Sequence, residues 1–431
     1  MRILLLIIQF PPDVNSTGLL MSKLCSGLRG QGHQVSVITT FPHYEKFRVW
    51  DEYRGKLFER GTYDGMDVTR LYVYASGNKQ NMIERLLSYL SFAALATLFG
   101  VFSRKKYDVI LCTNGSFFSG IAAHLIATAK GIPFVYNVQD LYPETPVMAG
   151  QLRSRFAISV LEKIERFMYR NAAHISVITR SFRDNIMGKG ISPSKISIIP
   201  NFVDTNFIKP LPKVNPFSQQ HGLADKFVVA HAGNVGYVYD LEGLLDAAAL
   251  VKHQPDIRFL IVGDGVMRPK LEEKARTLGL SNVLFLPFQP HESLPQLRAT
   301  CDVQVALYRQ GSSRYSMPSK VYEIMASGRP LLASADVNSD VWRLIEDTGC
   351  GICVEPHDPE KLAASILRLY GDRSLRDAMG ERGRQQAEQH YSRDVVVGLY
   401  GDLLQRVAAA EAPAQVARGQ TSLPARQGGS S

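Results

Sequence analysis

With 431 residues, 45% of them hydrophobic and 21% charged, the chain has the composition of a globular protein with room for two domains, not of a disordered or fibrous one. Its formal charge of +9 favours an anionic partner, whether nucleotide diphosphate, nucleic acid or acidic lipid. Five cysteines, odd in number and irregular in spacing, argue against a disulfide framework and for a reducing cytoplasm. The single CxxC, Cys350 and Cys353, lies in a turn leading into a strand, with no second CxxC or nearby pair of histidines to complete a zinc site.

The apolar run Arg2–Phe10 opens the chain. Its wholly apolar part is only Ile3–Ile8, one arginine precedes that part and no small-residue cleavage site follows, so it reads as a strand covered on both faces, not as a signal peptide. The loop PPDVNSTG, a helical period over Leu19–Arg29 and the strand Gln34–Thr40 complete a βαβ unit, whose ligands gather where loops leave the carboxyl ends of strands. Gly18 opens that helix, where a missing side chain lets a phosphate or sugar approach the backbone; helix starts also tolerate glycine for no such reason. Two strands are expected within Gly55–Tyr74.

Leu86–Phe102 then runs uncharged for seventeen residues, between Arg85 and the basic Arg104, Lys105 and Lys106. That length is at the short edge of a spanning helix. A helix over 82–103 that packs on the first domain and dips into the inner leaflet fits best; a wholly buried core helix and a true span are the alternatives. Strands at Tyr107–Thr113 and Ile132–Val138 follow, the latter ending at Gln139-Asp140-Leu141-Tyr142-Pro143-Glu144. Just beyond a parallel strand, Asp140 and Glu144 can orient an acceptor hydroxyl or take its proton, or serve only as turn residues. An amphipathic helix over Arg155–Asn171 and a strand at His174–Thr179 lead to PNFVDTNFIKPLP, a Pro- and Asn-rich hinge near Asn201–Pro216.

The second half restarts the pattern. The strand Phe227–His231 runs into the loop His231–Gly236, with Gly233 and Asn234 placed for close phosphate approach and His231 either structural or a contact. After the strand Asp302–Tyr308 comes a polar loop with Arg309 and Arg314, then Met317–Pro330, MPSKVYEIMASGRP. Pro318 and Ser319 read as a helix start, with Ser319 as N-cap. A diphosphate suits such a start, helped by Lys320, Arg309 and Arg314. Glu323 lies one turn in, free to accept from a ribose diol, or else a surface residue paired with Lys320. Beyond Ala408 the Ala-, Pro-, Gly- and Ser-rich tail lacks an apolar period and is expected to be disordered.

PSKVYEIMASGRP resembles the nucleotide-sugar motif of retaining GT-B glycosyltransferases of family 4, especially bacterial enzymes of O-antigen, capsule and colanic-acid assembly, fucosamine transferases among them. The resemblance covers about residues 1–405 and includes the P-P…T-G turn, the D-L-x-P-E stretch, the P-N-x-V-D junction and the G-N-x-G loop. It implies an α/β GT-B fold: two facing Rossmann-like domains with parallel sheets and an interdomain cleft. The expected parts are an acceptor domain over 1–203, a donor domain over 204–385, a C-terminal helix over 386–408 returning to the first domain, and a tail over 409–431. Within that fold the resemblance implies that Gly18 faces the cleft, Asp140 and Glu144 stand on the acceptor side, Gly233 and Asn234 meet the donor phosphates or sugar, and Glu323 holds the donor ribose. Family members usually carry a second Glu eight residues before Glu323, where this chain has Tyr315, and an Arg and a Lys shortly after the G-N-x-G loop, where it has Tyr237, Tyr239 and Asp240. Neutralising the diphosphate then falls to Lys320 with Arg309 or Arg314, and Lys320 counts with Asp140 and Glu144 among the catalytic candidates.

The sequence thus points to a metal-independent glycosyltransferase needing no cofactor beyond its nucleotide-sugar substrate, a UDP-sugar by preference. The expected acceptor is a polyprenyl-diphosphate-linked glycan at the cytoplasmic face of the inner membrane. A nucleotide-sugar epimerase and an inactive membrane-recruited binding protein are the rivals. No motif of basic and stacking aromatic residues supports nucleic-acid binding.

Overall fold

The computed structural model describes residues 1–13, 15–77, 81–148, 152–314 and 317–420. The chain divides into two units, the first comprising 1–178, 182–199 and 397–431, the second 179–181 and 200–396.

The first unit is built on an eight-stranded sheet: β1 (Arg2–Leu6), β2 (Gln34–Thr40), β3 (Phe58–Tyr63), β4 (Met66–Leu71), β5 (Val109–Thr113), β6 (Phe134–Val138), β7 (His174–Val177) and β8 (Ile196–Ile198). Their order is β3-β4-β2-β1-β5-β6-β7-β8, parallel throughout except for the β3–β4 hairpin at one edge. Its helices are α1 (Ser16–Gly30), α2 (Met82–Phe102), α3 (Ser119–Lys130), α4 (Glu144–Met148), α5 (Arg155–Asn171) and α6 (Arg180–Gly188). Ile3 through Leu6 are wholly buried, which is why β1 needs an unbroken apolar run. The strand order reverses between β1 and β5, and at such a switch point the loops part and leave a crevice.

The second unit has six parallel strands, β9 (Phe227–Ala232), β10 (Ile257–Val262), β11 (Val283–Leu286), β12 (Val303–Leu307), β13 (Leu331–Ser334) and β14 (Gly351–Val354), in the order β11-β10-β9-β12-β13-β14. Alternate residues enter two separate cores: Val229, Phe259 and Ile261 join one, while Val228, Ala230, Leu260 and Val262 join the other. Two-sided burial of this kind requires helices on both faces. They are α7 (Pro216–Gln220), α8 (Leu241–Leu250), α9 (Arg268–Thr277), α10 (Leu294–Thr300), α11 (Lys320–Ala326), α12 (Asp340–Thr348), α13 (Pro359–Gly371) and α14 (Arg373–His390). Here the reversal falls between β9 and β12, the strands that precede the Gly233 loop and the Lys320 motif.

The last helix, α15 (Arg393–Gln420), departs from the expected end at residue 408. The alanine-rich composition taken as a sign of disorder is also the best helix former, and the helix runs on through it; residues 421–431 lie outside those described.

Candidate functional site

In the second unit the loops after β9 and β10 close on each other. Gly233 N donates to Val262 O at 2.9 Å and Val235 N to Asp264 O at 2.9 Å. Gly233 has φ +139° and Gly263 φ +137°, and a Cβ on Gly263 would lie 1.9 Å from Gly233 O. Only glycine can fill either place, so the Gly233 backbone is held open by packing. Asn234 is exposed beside it, its carbonyl 3.3 Å from His231 Nε2.

Lys320 reaches this loop from the first turn of α11. Its residue is 8% exposed, and its Nζ sits 3.6 Å from the centre of the Tyr239 ring and 4.0 Å from where a Gly233 Cβ would stand. The Nζ has no hydrogen-bond partner among the described residues. Burial first, then repulsion by Arg298, brings its pKa down to about 7, against the pull of Glu323. Tyr239 also meets His231 edge-on at 5.4 Å. His231 is wholly buried, with Nδ1 unpartnered; burial and the Lys320 charge hold its pKa well below the usual value. A neutral imidazole and a ring face are thus the immediate company of a buried ammonium, an arrangement that lacks an anion.

Glu323 is not paired with Lys320. It forms an ion pair with Arg298 of α10, a residue 3% exposed that also donates to Gln304 of β12. Gln304 in turn donates to Ser327 Oγ at 3.0 Å, tying α10, β12 and α11 together. Glu323 Oε1, by contrast, has no partner among the described residues. Arg298 had no motif to mark it in the sequence; its distance from Glu323 along the chain hides the pairing.

Three expectations for this site change. Ser319 occupies the N-cap position, but its backbone is already helical and its side chain makes no capping bond. The turn starts earlier, with Val321 N donating to Pro318 O at 3.1 Å, and α11 has only seven residues, so a helix dipole contributes little here beside Lys320. Arg309 is bound to Glu242 at 2.7 Å, and so its guanidinium is already engaged, although that carboxylate also accepts Lys270 at 3.0 Å and cannot offset both cations. Arg314 is exposed, with no ion pair among the described residues, and Tyr315 lies outside them.

The first unit carries its own cavity, of about 240 Å³, where β1, β2, β5 and β6 end. Gln9, His43, Tyr44, Arg85, Asp140 and Tyr142 are among its lining residues. Asn114 holds the Asp140 turn: its Oδ1 accepts from Gln139 N at 2.8 Å and its Nδ2 donates to Asp140 O. The Asp140 side chain opens to solvent on one side and is crowded by protein elsewhere, and that desolvation raises its carboxyl above the ordinary aspartate value. His43 is fixed by Asp13, which accepts from His43 N at 3.1 Å and stands 3.8 Å from its Nδ1. Neither Asp13 nor His43 stood out in the sequence, being separated by α1 and β2.

Glu144 and Gly18 do not share this cavity. Glu144 is turned toward Lys189 at 2.8 Å and Asn185 at 3.1 Å, and Lys189 also binds the buried Glu165 at 2.6 Å. This network engages Glu144 through Oε1 alone; its Oε2 is buried without a hydrogen-bond partner among the described residues. Gly18 is small because a Cβ there would lie 2.6 Å from Gln9 O; its N–H is capped by Asn15 at 3.0 Å. Close packing, not an open approach, is the reason for the glycine. Gly18→Ala is therefore expected to lower the unfolding free energy by about 1–3 kcal/mol, readable as a lower urea midpoint.

Two α/β units of this kind, one with a buried cation beside a glycine loop, have the GT-B architecture, and the chain's family matches make it a glycosyltransferase. Residues 19–201 match the family model described as "Glycosyl transferase 4-like domain", and residues 214–386 that of "Glycosyl transferases group 1". The "Putative colanic acid biosynthesis glycosyl transferase WcaI" of Escherichia coli (strain K12) is 27% identical over 375 residues, which is 85% of this chain and 91% of that protein. The "Probable glycosyltransferase WbjE" of Pseudomonas aeruginosa is 27% identical over 74% of this chain and 80% of its own length. Among solved structures, Anabaena Alr3699/HepE in complex with UDP and glucose superposes with a TM-score of 0.71 at 19% identity, over 94% of this chain and all of that one.

Proposed function

We propose that this protein is a retaining, metal-independent hexosyltransferase of bacterial surface-polysaccharide synthesis. It takes a sugar of the N-acetylfucosamine type from a UDP donor to a polyprenyl-diphosphate-linked glycan of O-antigen or capsule assembly. The observation that carries this reading is the unpartnered, buried Lys320 ammonium beside the Gly233 backbone, a receptor for a diphosphate. The WcaI relative, named for colanic acid biosynthesis, supports the pathway, and the HepE complexes with UDP and UDP-glucose support the donor class.

In the proposed reaction the bond between the anomeric carbon and the diphosphate oxygen breaks while an acceptor hydroxyl bonds to the same face of that carbon. The hydroxyl proton passes to a donor phosphate oxygen. Lys320 stabilises the charge growing on the leaving diphosphate. Glu323, steadied by Arg298, accepts from the ribose diol, with Gly233 and Asn234 against the phosphates or sugar and Arg314 at the exposed edge. Asp140 orients the acceptor hydroxyl from the first unit's cavity.

The lipid-linked acceptor draws support from α2. Ile83–Phe102 is long and apolar enough to cross a bilayer, and it is only partly buried in the protein. We read it as lying in the cytoplasmic leaflet of the inner membrane. Incubating the protein with a panel of UDP-sugars and a short prenyl-diphosphate-linked glycan tests the whole reading. Transfer with an α-configured product from an α-configured donor is expected, and Asp140→Asn should reduce it about 10–1000-fold with donor binding intact. Turnover of the donor without acceptor would instead make it an epimerase. Inverted product would remove the retaining assignment.

A further inference from the structure

α2 turns most of its bulk outward. Phe92 is wholly buried, but beside it the inward residues Ser88, Ala96 and Gly100 are small or hydroxylic, and a Cβ on Gly100 would lie 2.4 Å from Ile126 of α3. Several of its large apolar residues face outward: Ile83 is 68% exposed, Leu87 and Leu90 are 43% each, and Leu98 is 53%. Ile83, Leu87, Leu90 and Leu98, with the exposed Ala94 between the last two, follow one outer stripe of a helix. A soluble helix shows the reverse pattern, since exposing leucines to water forfeits the hydrophobic gain.

The same spacing recurs on α5. Phe156, Val160 and Phe167 point outward, Phe156 at 80% exposure, with the exposed Lys163 and Arg170 on the same side. Between the two helices lies α3. It packs on α2, it shows Leu125 to solvent, and its His124 meets Phe167 edge-on at 5.2 Å. The apolar surface is therefore continuous over three helices. Cations edge it: Arg104 and Lys106 follow α2 and, like Lys163 and Arg170, have no ion pair among the described residues, while Lys105 between them is paired with Asp67 at 2.7 Å. A second copy of this chain would bring the same positive edge against it. Anionic phospholipid complements both the apolar centre and the charge.

From this geometry we infer that the α2–α3–α5 layer docks as one face on an anionic bilayer, with α5 supplying a second insertion point through Phe156 and Val160. The inference rests on the bilayer reading of α2 and extends it to a helix that the sequence presents only as amphipathic.

Full-length protein is mixed with vesicles of phosphatidylcholine alone or with phosphatidylglycerol, and binding is read by flotation. Binding to the anionic vesicles at least tenfold stronger is expected; equal binding to both overturns the role of charge. Leu90→Trp and Phe156→Trp are then compared, each against the parent protein's fluorescence, in vesicles with brominated acyl chains. Quenching at both positions is expected. Quenching at position 90 alone overturns the α5 contact and leaves the α2 reading standing, whereas quenching at neither overturns both. Phe156→Glu/Val160→Glu, with folding checked by circular dichroism, should lower partitioning at least tenfold. An unchanged partition would take α5 off the membrane.

Discussion

Lys320→Met is expected to make the protein more stable and at the same time unable to hold its donor. The lysine carries a pKa of about 7 in the fold against 10.5 as a free side chain. Each unit of such a shift corresponds to about 1.4 kcal/mol, so removing the charge should raise the unfolding free energy on the order of 2–4 kcal/mol at neutral pH. The sign follows from proton binding. Between pH 7 and 10.5 the unfolded chain keeps a proton that the folded chain has lost, so this group makes stability rise with pH across that window. Below pH 7 both forms are protonated and the burial penalty is constant. The methionine variant should lose this rise, which urea titrations at pH 7 and pH 9 would register. Donor binding should move the other way. A buried charge-assisted contact to a diphosphate is lost, lowering UDP affinity roughly 100-fold by calorimetry. In the unaltered protein, binding should draw in a proton above pH 7, so affinity weakens as pH rises and the measured heat depends on the buffer. A variant of lower stability with intact UDP affinity would remove Lys320 from the donor site.

Arg298→Ala should have the largest destabilising effect. It strands Glu323 and takes from Gln304 one of its partners in a region where Arg298 itself is almost wholly buried. Breaking a buried pair from one side costs about 3–5 kcal/mol; Glu323 has a side chain 32% exposed, which lets water relieve part of this, so about 2–4 kcal/mol is expected by urea unfolding. Arg298→Met with Glu323→Gln removes both charges and should recover more than half of the loss, since two neutral groups need no mutual compensation. Donor affinity should stay low in the double variant, because the ribose contact is gone. Full recovery of affinity would mean that the pair serves only the fold.

Much of the architecture was legible because a parallel sheet is encoded locally. β1 and β14 read directly as apolar runs, and α5 spans Arg155–Asn171 as its periodicity predicts. The position of Lys320 was equally plain, since a motif is contiguous. The partners of the charged residues were not. Glu323 had Lys320 as its obvious neighbour, one turn away, yet Arg298 holds it; Arg309 turned to Glu242, and Glu144 to Lys189. Gly18 was sensed as special, but for the wrong reason, because Gln9 O meets it only once the loop has folded back.

What the chain order alone announced was two doubly wound α/β domains and the strand–loop–helix setting of Lys320, properties carried by neighbouring residues through burial and periodicity. The folded arrangement was needed to show that Lys320 is buried with its Nζ unpartnered, that Glu323 pairs with Arg298, and that α2 turns several leucines outward. Those outcomes depend on what lies across a sheet or between helices, and an electrostatic or packing partner is chosen by distance in space, which strand order sets and chain spacing does not record.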